Sequence, residues 1–184
     1  MSKANPCIVL VHGKGGSPTK SWIPWMRSEL SKSGVQSIAP TFPPQDDSKL
    51  ADWFTIFNDL RLELLSSTFI AHARGAMALL RWINTLPNTA RIRQVVTVSC
   101  NFDYQPHRTD GDEFYLTPLN YSDLMEKCQN ITVVHSQDDP YVPIGAGQEL
   151  TDHLHAKFVS YETAGHFGSE KTEAPELFKE ILSS

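Results

Sequence analysis

Short apolar runs alternate with longer amphipathic segments along this chain, and this alternation predicts most of its fold. The runs predict strands at 7–13, 35–40, 67–72, 92–100, 130–136 and 157–162. The segments between them have apolar residues at helical spacing. They predict helices at 21–34, 74–86, 144–155 and 174–182, and one between Leu50 and Leu64 that follows a Ser or Asp cap.

Strands that alternate with helices form parallel βαβ units with right-handed crossovers. The sequence therefore predicts an α/β fold: a mostly parallel, doubly wound sheet of about six strands with helices on both faces. No repeat, low-complexity segment or linker interrupts the pattern, so residues 1–184 are expected to form a single domain without a large cap. Residues 101–120 form one long irregular segment, and loops of that length are often functional.

Charge and composition narrow the range of partners. The net charge of −5 argues against a nucleic-acid backbone or an anionic membrane as the main partner. No apolar run approaches the ~20 residues that a membrane span needs, and the N-terminal stretch lacks a signal-peptide pattern. Three scattered cysteines without a CxxC pair are expected to be reduced thiols of a cytoplasmic protein. The histidines show no metal-ligand spacing, so no metal site is expected among them.

The stretch "FIAHARGAMALL", residues 69–80, reads as a strand, a tight corner and a helix. This is the layout of a nucleophile elbow, in which the corner residue is strained and its neighbours two before and two after must be small. Ala71 and Gly75 meet that requirement. The corner itself is Ala73, where a catalytic serine would normally stand.

Three other strands end in residues suited to the same chemistry. After the first strand comes "HGKGG", a glycine turn that suits an oxyanion hole or a phosphate cradle, although the P-loop pattern is absent. After the fifth strand, Asp139 stands directly before Pro140, with Asp138 one residue earlier. After the sixth strand, His166 lies in the short loop "TAGHFG". Nucleophile position, acid and histidine thus follow in the chain order of α/β-hydrolases.

The order of these residues along the chain predicts where they lie relative to one another, as well as the fold. Ala73 and Asp139 are 66 residues apart, and Asp139 and His166 are 27 apart, so only the fold can bring them together. Parallel strands would place all three on one rim of the sheet. We expect the His166 imidazole to hydrogen-bond Asp139, and the backbone N–H groups of Arg74 and of Lys14 or Gly15 to form an oxyanion hole.

The sequence also resembles the small single-domain serine hydrolases typified by retinoblastoma-binding protein nine and its bacterial relatives. The most specific matching pieces are "FYLTPLNYSDLMEKCQNITVVHSQDDPYVP" and "AGHF", and the likeness covers nearly the whole chain. The resemblance implies that Asp139 is the catalytic acid, that His166 is the base and that a serine belongs at position 73. It implies hydrolysis of a carboxylic ester or amide without a cofactor, and Ala73 departs from that pattern.

Ala73 leaves several interpretations open. The favoured one is an engineered, inactive Ser→Ala variant, because the remaining machinery is in place and a chain that had drifted from catalysis could relieve the strain with glycine. The alternative is a natural pseudo-hydrolase that binds a ligand or a protein in the old pocket. A third is chemistry with His166 as base and no covalent step. Ser99, Cys100 and Ser136 lie at other strands and are poor replacement nucleophiles.

Aromatic residues near these loops are the candidates for a substrate pocket. Trp22 and Trp25 follow the glycine turn, and Phe114 and Tyr115 lie in the long irregular segment. Together they would line an apolar pocket for a small-molecule ester or amide. The sequence does not distinguish between an ester and a peptide bond.

Overall fold

The computed structural model describes residues 7–43, 49–100, 112–168 and 170–182, and a parallel sheet of six strands runs through its centre. The strands lie in the order β2-β1-β3-β4-β5-β6, and every neighbouring pair is parallel. Their bounds are Cys7–Val11 (β1), Gln36–Ile38 (β2), Ser67–His72 (β3), Gln94–Val98 (β4), Ile131–Ser136 (β5) and Lys157–Tyr161 (β6). The chain reverses its direction of winding beside β1, which makes the sheet doubly wound.

Helices in the described part of the chain cover both faces of this sheet. They are Ile23–Lys32 (α1), Leu50–Asp59 (α2), Arg74–Thr85 (α3), Tyr121–Lys127 (α4), Ile144–Leu154 (α5) and Pro175–Leu182 (α6). Helices α1 and α6 pack on one face, against strand residues such as Leu10 and Val96. The other four pack on the opposite face, against Val9 and Val95. Successive strand residues point to opposite faces, so strands covered on both sides are apolar throughout.

The predicted elements are present, with shorter ends and two differences. The helix expected to run to Leu64 ends at Asp59, because Arg61 has a left-handed φ of 46°; a 3₁₀ turn at Leu64–Ser66 follows. Helix α2 also begins without the predicted Ser or Asp cap. Its N-cap is Lys49, whose backbone N–H donates to the Asp52 carboxylate at 2.9 Å. Elsewhere the predicted stop at Gly34 is correct, since its φ of 72° ends α1.

Helix α4 was not predicted from the sequence. It has only seven residues, too few to show a clear apolar period. Its one sequence signal is Asn120, whose side chain accepts a hydrogen bond from the backbone N–H of Asp123 at 3.1 Å. Within the described residues no separate cap is built over the sheet, and no helix has the length and hydrophobicity to cross a bilayer.

The corner between β3 and α3 brings two backbones unusually close together. A Cβ added at Gly75 would lie 2.3 Å from the carbonyl oxygen of His12 and 2.9 Å from Cγ1 of Val11. Helix α3 can therefore pack against the end of β1 only if residue 75 has no side chain. The same approach sets the position of Ala73, two residues earlier, above the carboxyl end of the sheet.

We therefore expect Gly75→Ala to destabilise the protein by about 3 kcal/mol or more, because the clash is with backbone that cannot move aside. Urea unfolding followed by circular dichroism measures the change. Gly145→Ala in α5 is the matched control, since an added Cβ there meets no described atom within 4 Å outside its immediate surroundings. It should be neutral or slightly stabilising. Equal losses in the two variants would contradict the close approach.

Candidate active site

Ala73 occupies a strained corner at the carboxyl end of β3. Its φ of 48° and ψ of −121° lie in a region that L-residues rarely adopt, at a cost of about 1–3 kcal/mol. Its backbone N–H donates to the carbonyl oxygen of Val98 in β4 at 2.8 Å, which ties the corner to the neighbouring strand. The conformation of a nucleophile elbow is therefore present although the side chain is a methyl group.

Asp139 and His166 meet on the same rim of the sheet. Nδ1 of His166 lies 2.8 Å from Oδ2 and 3.0 Å from Oδ1 of Asp139, which is the hydrogen bond expected from the sequence. Oδ1 also accepts hydrogen bonds from the backbone N–H groups of Tyr141 and Val142. Burial raises the pKa of Asp139, but the hydrogen bonds from His166, Val142 and Tyr141 outweigh it and lower the pKa to about 2. The carboxylate is therefore ionised at neutral pH.

The ionised carboxylate determines which nitrogen of His166 faces the cleft. An acceptor at Nδ1 favours the tautomer with its proton there, which leaves Nε2 with a lone pair. His166 and Ala73 line the same two cavities. The ring edge of Tyr141, which is 77% exposed, packs against the imidazole with centroids 5.2 Å apart. His166 is thus placed as a base beside position 73.

Asp138 holds the backbone of the loop that carries His166. Its Oδ1 accepts hydrogen bonds from the backbone N–H groups of Ala164 at 3.0 Å and Gly165 at 2.8 Å, and from the Ser136 hydroxyl. The hydrogen bond from Ser136, followed by that from Gly165, lowers the pKa of Asp138. The two adjacent acids therefore have different partners: Asp139 contacts the imidazole, and Asp138 contacts the loop backbone.

Two further contacts hold this loop from the other side. The indole Nε1 of Trp22 donates to the carbonyl oxygen of Phe167 at 3.1 Å, and Phe167 itself is buried. Nε2 of His72, the residue before the elbow corner, donates to the carbonyl oxygen of His166 at 2.6 Å. Burial, together with the charge of a protonated His166, lowers the pKa of His72 to about 4. His72 is thus a neutral donor, a role that its place in the sequence does not reveal.

The residues expected to form an oxyanion hole lie around Ala73. Gly15 has a left-handed φ of 65°, and the turn is closed by a hydrogen bond from the Gly16 N–H to the Gly13 carbonyl. Lys14 lines both cavities. Arg74 is the first residue of α3, so its N–H has no intrahelical partner and lies at the positive end of the helix dipole. These positions suit donors for developing negative charge.

Two cavities flank Ala73 and His166. The larger, of about 310 Å³, lies over the glycine turn and is bounded by Trp22. The smaller, of about 170 Å³, is bounded by Tyr115 and Tyr141. Tyr115 belongs to the long irregular segment 101–120, of which residues 101–111 lie outside the described residues. Among the residues that the structure describes, no cluster of His, Cys, Asp and Glu is arranged to hold a metal ion.

Trp25 and Phe114 line neither of these cavities, which corrects the pocket expected from the sequence. Trp25 packs edge-on against Phe178 of α6, with ring centroids 6.0 Å apart. Phe114 is completely buried in the core, and the guanidinium of Arg74 lies 3.9 Å from its ring centroid. The two tryptophans diverge because Trp22 is the N-cap of α1 whereas Trp25 is within the helix.

The three candidate replacement nucleophiles differ in their surroundings. Burial raises the pKa of the Cys100 thiol to about 12, so it is not a thiolate at neutral pH. The Ser136 hydroxyl is engaged by Asp138 and by the backbone N–H of Ala164. Ser99 is buried and lines the smaller cavity, but among the residues that the structure describes its hydroxyl has no hydrogen-bond partner, so none of them is placed as a base to activate it.

The low pKa of His72 predicts acid sensitivity of the fold. In the unfolded chain His72 binds its proton near pH 6.5, and in the folded chain only near pH 4. The unfolded state therefore holds more protons between these values, so stability should fall as the pH drops from about 6.5 to about 4, by up to about 3 kcal/mol. Urea unfolding at pH 7 and pH 4.5 measures how the free energy of unfolding changes with pH.

His72→Gln keeps a side-chain donor without a titrating ring and should flatten that slope. His153→Gln, at an exposed histidine of α5, is the matched control and should leave it unchanged. An unchanged slope in His72→Gln would show that His72 does not titrate as inferred.

Comparison with known proteins agrees with this geometry. The family model described as "Serine hydrolase" matches residues 8–175. The chain is 29% identical to the serine hydrolase RBBP9 of Rattus norvegicus over 179 residues, which covers 95% of this chain and 93% of that protein. It is 26% identical to the protein YdeN of Bacillus subtilis (strain 168) over 180 residues, covering 96% and 94% of the two chains.

A solved structure of one of these relatives has the same fold. The crystal structure of the ydeN gene product from B. subtilis superposes with a TM-score of 0.90 at 25% identity, covering 97% of this chain and 98% of that one. The parallel sheet, the strained elbow and the order of the residues at the strand ends are those of the α/β-hydrolase fold. This chain belongs to the serine hydrolase family and has the α/β-hydrolase fold.

Proposed function

We propose that the active form of this protein hydrolyses carboxylic esters or amides of small molecules, with a serine at position 73 as the nucleophile. The main support for the proposal is the strained elbow at Ala73 beside the hydrogen-bonded pair of His166 and Asp139. Ala73 keeps the strained backbone of a nucleophile, and the His166–Asp139 pair shares the two cavities that Ala73 lines. Membership of the serine hydrolase family supports the same chemistry.

The mechanism follows from the positions of these groups. The hydroxyl of a serine at position 73 attacks the substrate carbonyl while Nε2 of His166 takes its proton. The oxyanion accepts hydrogen bonds from the backbone N–H of Arg74 and from the glycine turn at Lys14 or Gly15. His166 then gives the proton to the leaving alcohol or amine, which leaves an acyl-enzyme. Water, deprotonated by His166, attacks the acyl carbonyl, and the serine regains its proton.

Asp139 assists both the formation and the hydrolysis of the acyl-enzyme. Its ionised carboxylate holds the His166 tautomer that leaves Nε2 free, and it stabilises the imidazolium that forms each time a proton is taken. The three contacts on the histidine loop, from Asp138, Trp22 and His72, keep the ring at the reacting position. Apart from the serine at position 73, each step uses residues of this chain, the substrate and water.

Ala73 is, in this proposal, an engineered Ser→Ala substitution that silences the enzyme. Alanine cannot attack a carbonyl, and loss of a nucleophile typically lowers the rate by about 10⁶. A chain released from catalysis gains by relieving the corner with glycine, whereas here φ remains 48° and the accessory contacts are intact. The protein with Ala73 should therefore bind its substrate without hydrolysing it. A natural binding module is the alternative.

Restoring the nucleophile tests the proposal. Purified Ala73→Ser should react with a fluorophosphonate probe and hydrolyse p-nitrophenyl acetate at least 10³-fold faster than the Ala73 chain, an increase well within the ~10⁶ attributed to a nucleophile. Labelling on a gel and release of p-nitrophenol are the measurements. Ala73→Ser combined with His166→Ala is the control and should lose most of the gain. A folded Ala73→Ser protein without labelling or hydrolysis favours the natural binding module.

The two adjacent acids provide a second test in the Ala73→Ser background. Asp139→Asn should lower kcat by about 10⁴, because the amide cannot hold the productive tautomer of His166. Asp138→Asn should cost less than about tenfold, because its amide oxygen can still accept from the Ala164 and Gly165 N–H groups. Steady-state kinetics on one ester gives both values.

Circular dichroism and thermal unfolding of the two aspartate variants show whether each is folded. If Asp138→Asn lowers kcat as much as Asp139→Asn in folded protein, the assignment of the acid to Asp139 is wrong.

A further inference from the structure

Two buried polar atoms of residues that line the smaller cavity beside Ala73 have no hydrogen-bond partner within the described part of the chain. They are the hydroxyl oxygen of Ser99 and Nε of Arg74. Both residues line the cavity of about 170 Å³ that Ala73 and His166 also line. Buried polar groups are nearly always paired in folded proteins, because an unpaired one loses its hydration without compensation. Two such atoms at one cavity call for an explanation.

Ser99 shows signs of a functional position beyond its missing partner. It directly follows β4, its side chain has no exposed surface, and its φ of 48° lies in the left-handed region. Its backbone N–H donates to the carbonyl oxygen of Val134 at 2.9 Å, which holds the residue in place. Strained residues of this kind concentrate at ligand sites, where the surrounding structure maintains them for a purpose other than stability.

Arg74 lines the same cavity and is held in a fixed orientation. Its Nη1 and Nη2 donate to the two carboxylate oxygens of Asp112 at 2.7 and 3.0 Å, and its guanidinium lies over the ring of Phe114. These contacts fix the guanidinium plane and use its outer nitrogens. Among the described residues its Nε has no partner, and it has almost no accessible surface, so the guanidinium contributes a fixed positive charge beside the cavity rather than a direct contact to a ligand.

We propose that this cavity binds an oxygen atom of the substrate other than those of the scissile ester or amide group. That oxygen pairs with the Ser99 hydroxyl, which turns about χ1 toward the cavity when the ligand enters, and it lies beside the fixed guanidinium of Arg74. The inference rests on the proposed hydrolase function and narrows its substrate class. The preferred substrates are small esters or amides with an additional hydroxyl or carbonyl oxygen.

The size of the cavity limits how large that part of the substrate is. A volume of about 170 Å³ corresponds to about five or six water molecules at ~30 Å³ each. A short chain of four or five carbon and oxygen atoms fills this volume. Tyr115 and Tyr141 bound the same space. The structure therefore points to short oxygen-bearing groups.

Matched ester pairs measured in the Ala73→Ser background test the substrate class. For an oxygen on the acyl side, the pair is p-nitrophenyl 3-hydroxybutyrate and p-nitrophenyl butyrate. For an oxygen on the alcohol side, it is 2-hydroxyethyl butyrate and propyl butyrate. We expect kcat/KM to be at least tenfold higher for the oxygen-bearing member of one pair, the size of about one net hydrogen bond. No preference in either pair overturns the inference.

Two variants distinguish a specific effect of the Ser99 hydroxyl from the general effect of removing a buried hydroxyl at β4. Ser99→Ala should lower the ratio of kcat/KM values within the preferred pair by about tenfold. Thr97→Val is the matched control, because Thr97 is also buried on β4 with an unpaired hydroxyl but lines neither cavity. It should leave the ratio unchanged. Equal changes in the two variants contradict the assignment.

Thermal unfolding gives readouts that do not require turnover. In the Ala73 chain, Ser99→Ala should keep or raise Tm, because it removes a buried unpaired hydroxyl; a marked fall in Tm would assign Ser99 a structural role. Methyl 3-hydroxybutyrate or 2-hydroxyethyl butyrate should raise Tm of the Ala73 chain more than methyl butyrate or propyl butyrate does, and Ser99→Ala should abolish the difference.

The two proposals fail in different ways. An active Ala73→Ser enzyme without preference in either ester pair overturns the substrate class and leaves the hydrolase function intact. An inactive Ala73→Ser protein overturns the hydrolase function, and the ligand-dependent shift in Tm then decides whether the cavity binds the oxygen-bearing group. Equal shifts for the matched ligands overturn the inference about the cavity.

Discussion

The close packing of helix α3 against the end of strand β1 is the constraint on which the site depends. Gly75 allows the helix to approach within contact of the His12 carbonyl, and the chain can make that approach only through a sharp corner at Ala73. The strain of the corner is maintained by backbone hydrogen bonding to β4 and by the packing of α3 into the core. The nucleophile position is therefore created by the backbone, whichever side chain occupies it.

The histidine is positioned in a different way, through contacts on its loop. His166 lies in an irregular segment after β6, and its backbone is held by Asp138, Trp22 and His72 from three other parts of the chain. Two of these anchors, Asp138 and His72, adjoin the acid and the nucleophile position in sequence. The same two strand ends therefore carry Ala73 and Asp139 and hold the loop of His166.

Much of the fold was predictable because local signals and global fold agree. Apolar runs such as 67–72 form buried parallel strands, and Gly34 ends α1 where its left-handed φ requires it. The exceptions have local causes: α4 is too short to show a period, and α2 ends early where Arg61 adopts a positive φ. Where tertiary packing overrides periodicity, propensity is a weak guide.

The sequence by itself determined the architecture and the order of the candidate groups, because strand periodicity, glycine positions and chain order are local properties of the chain. Only the tertiary structure decided which side chains meet. It separated Asp138 from Asp139, removed Trp25 and Phe114 from the cleft, and revealed the contact of His72 with the histidine loop and the unpaired hydroxyl of Ser99. These depend on distances between residues far apart in the chain and on burial, which no periodicity or spacing encodes.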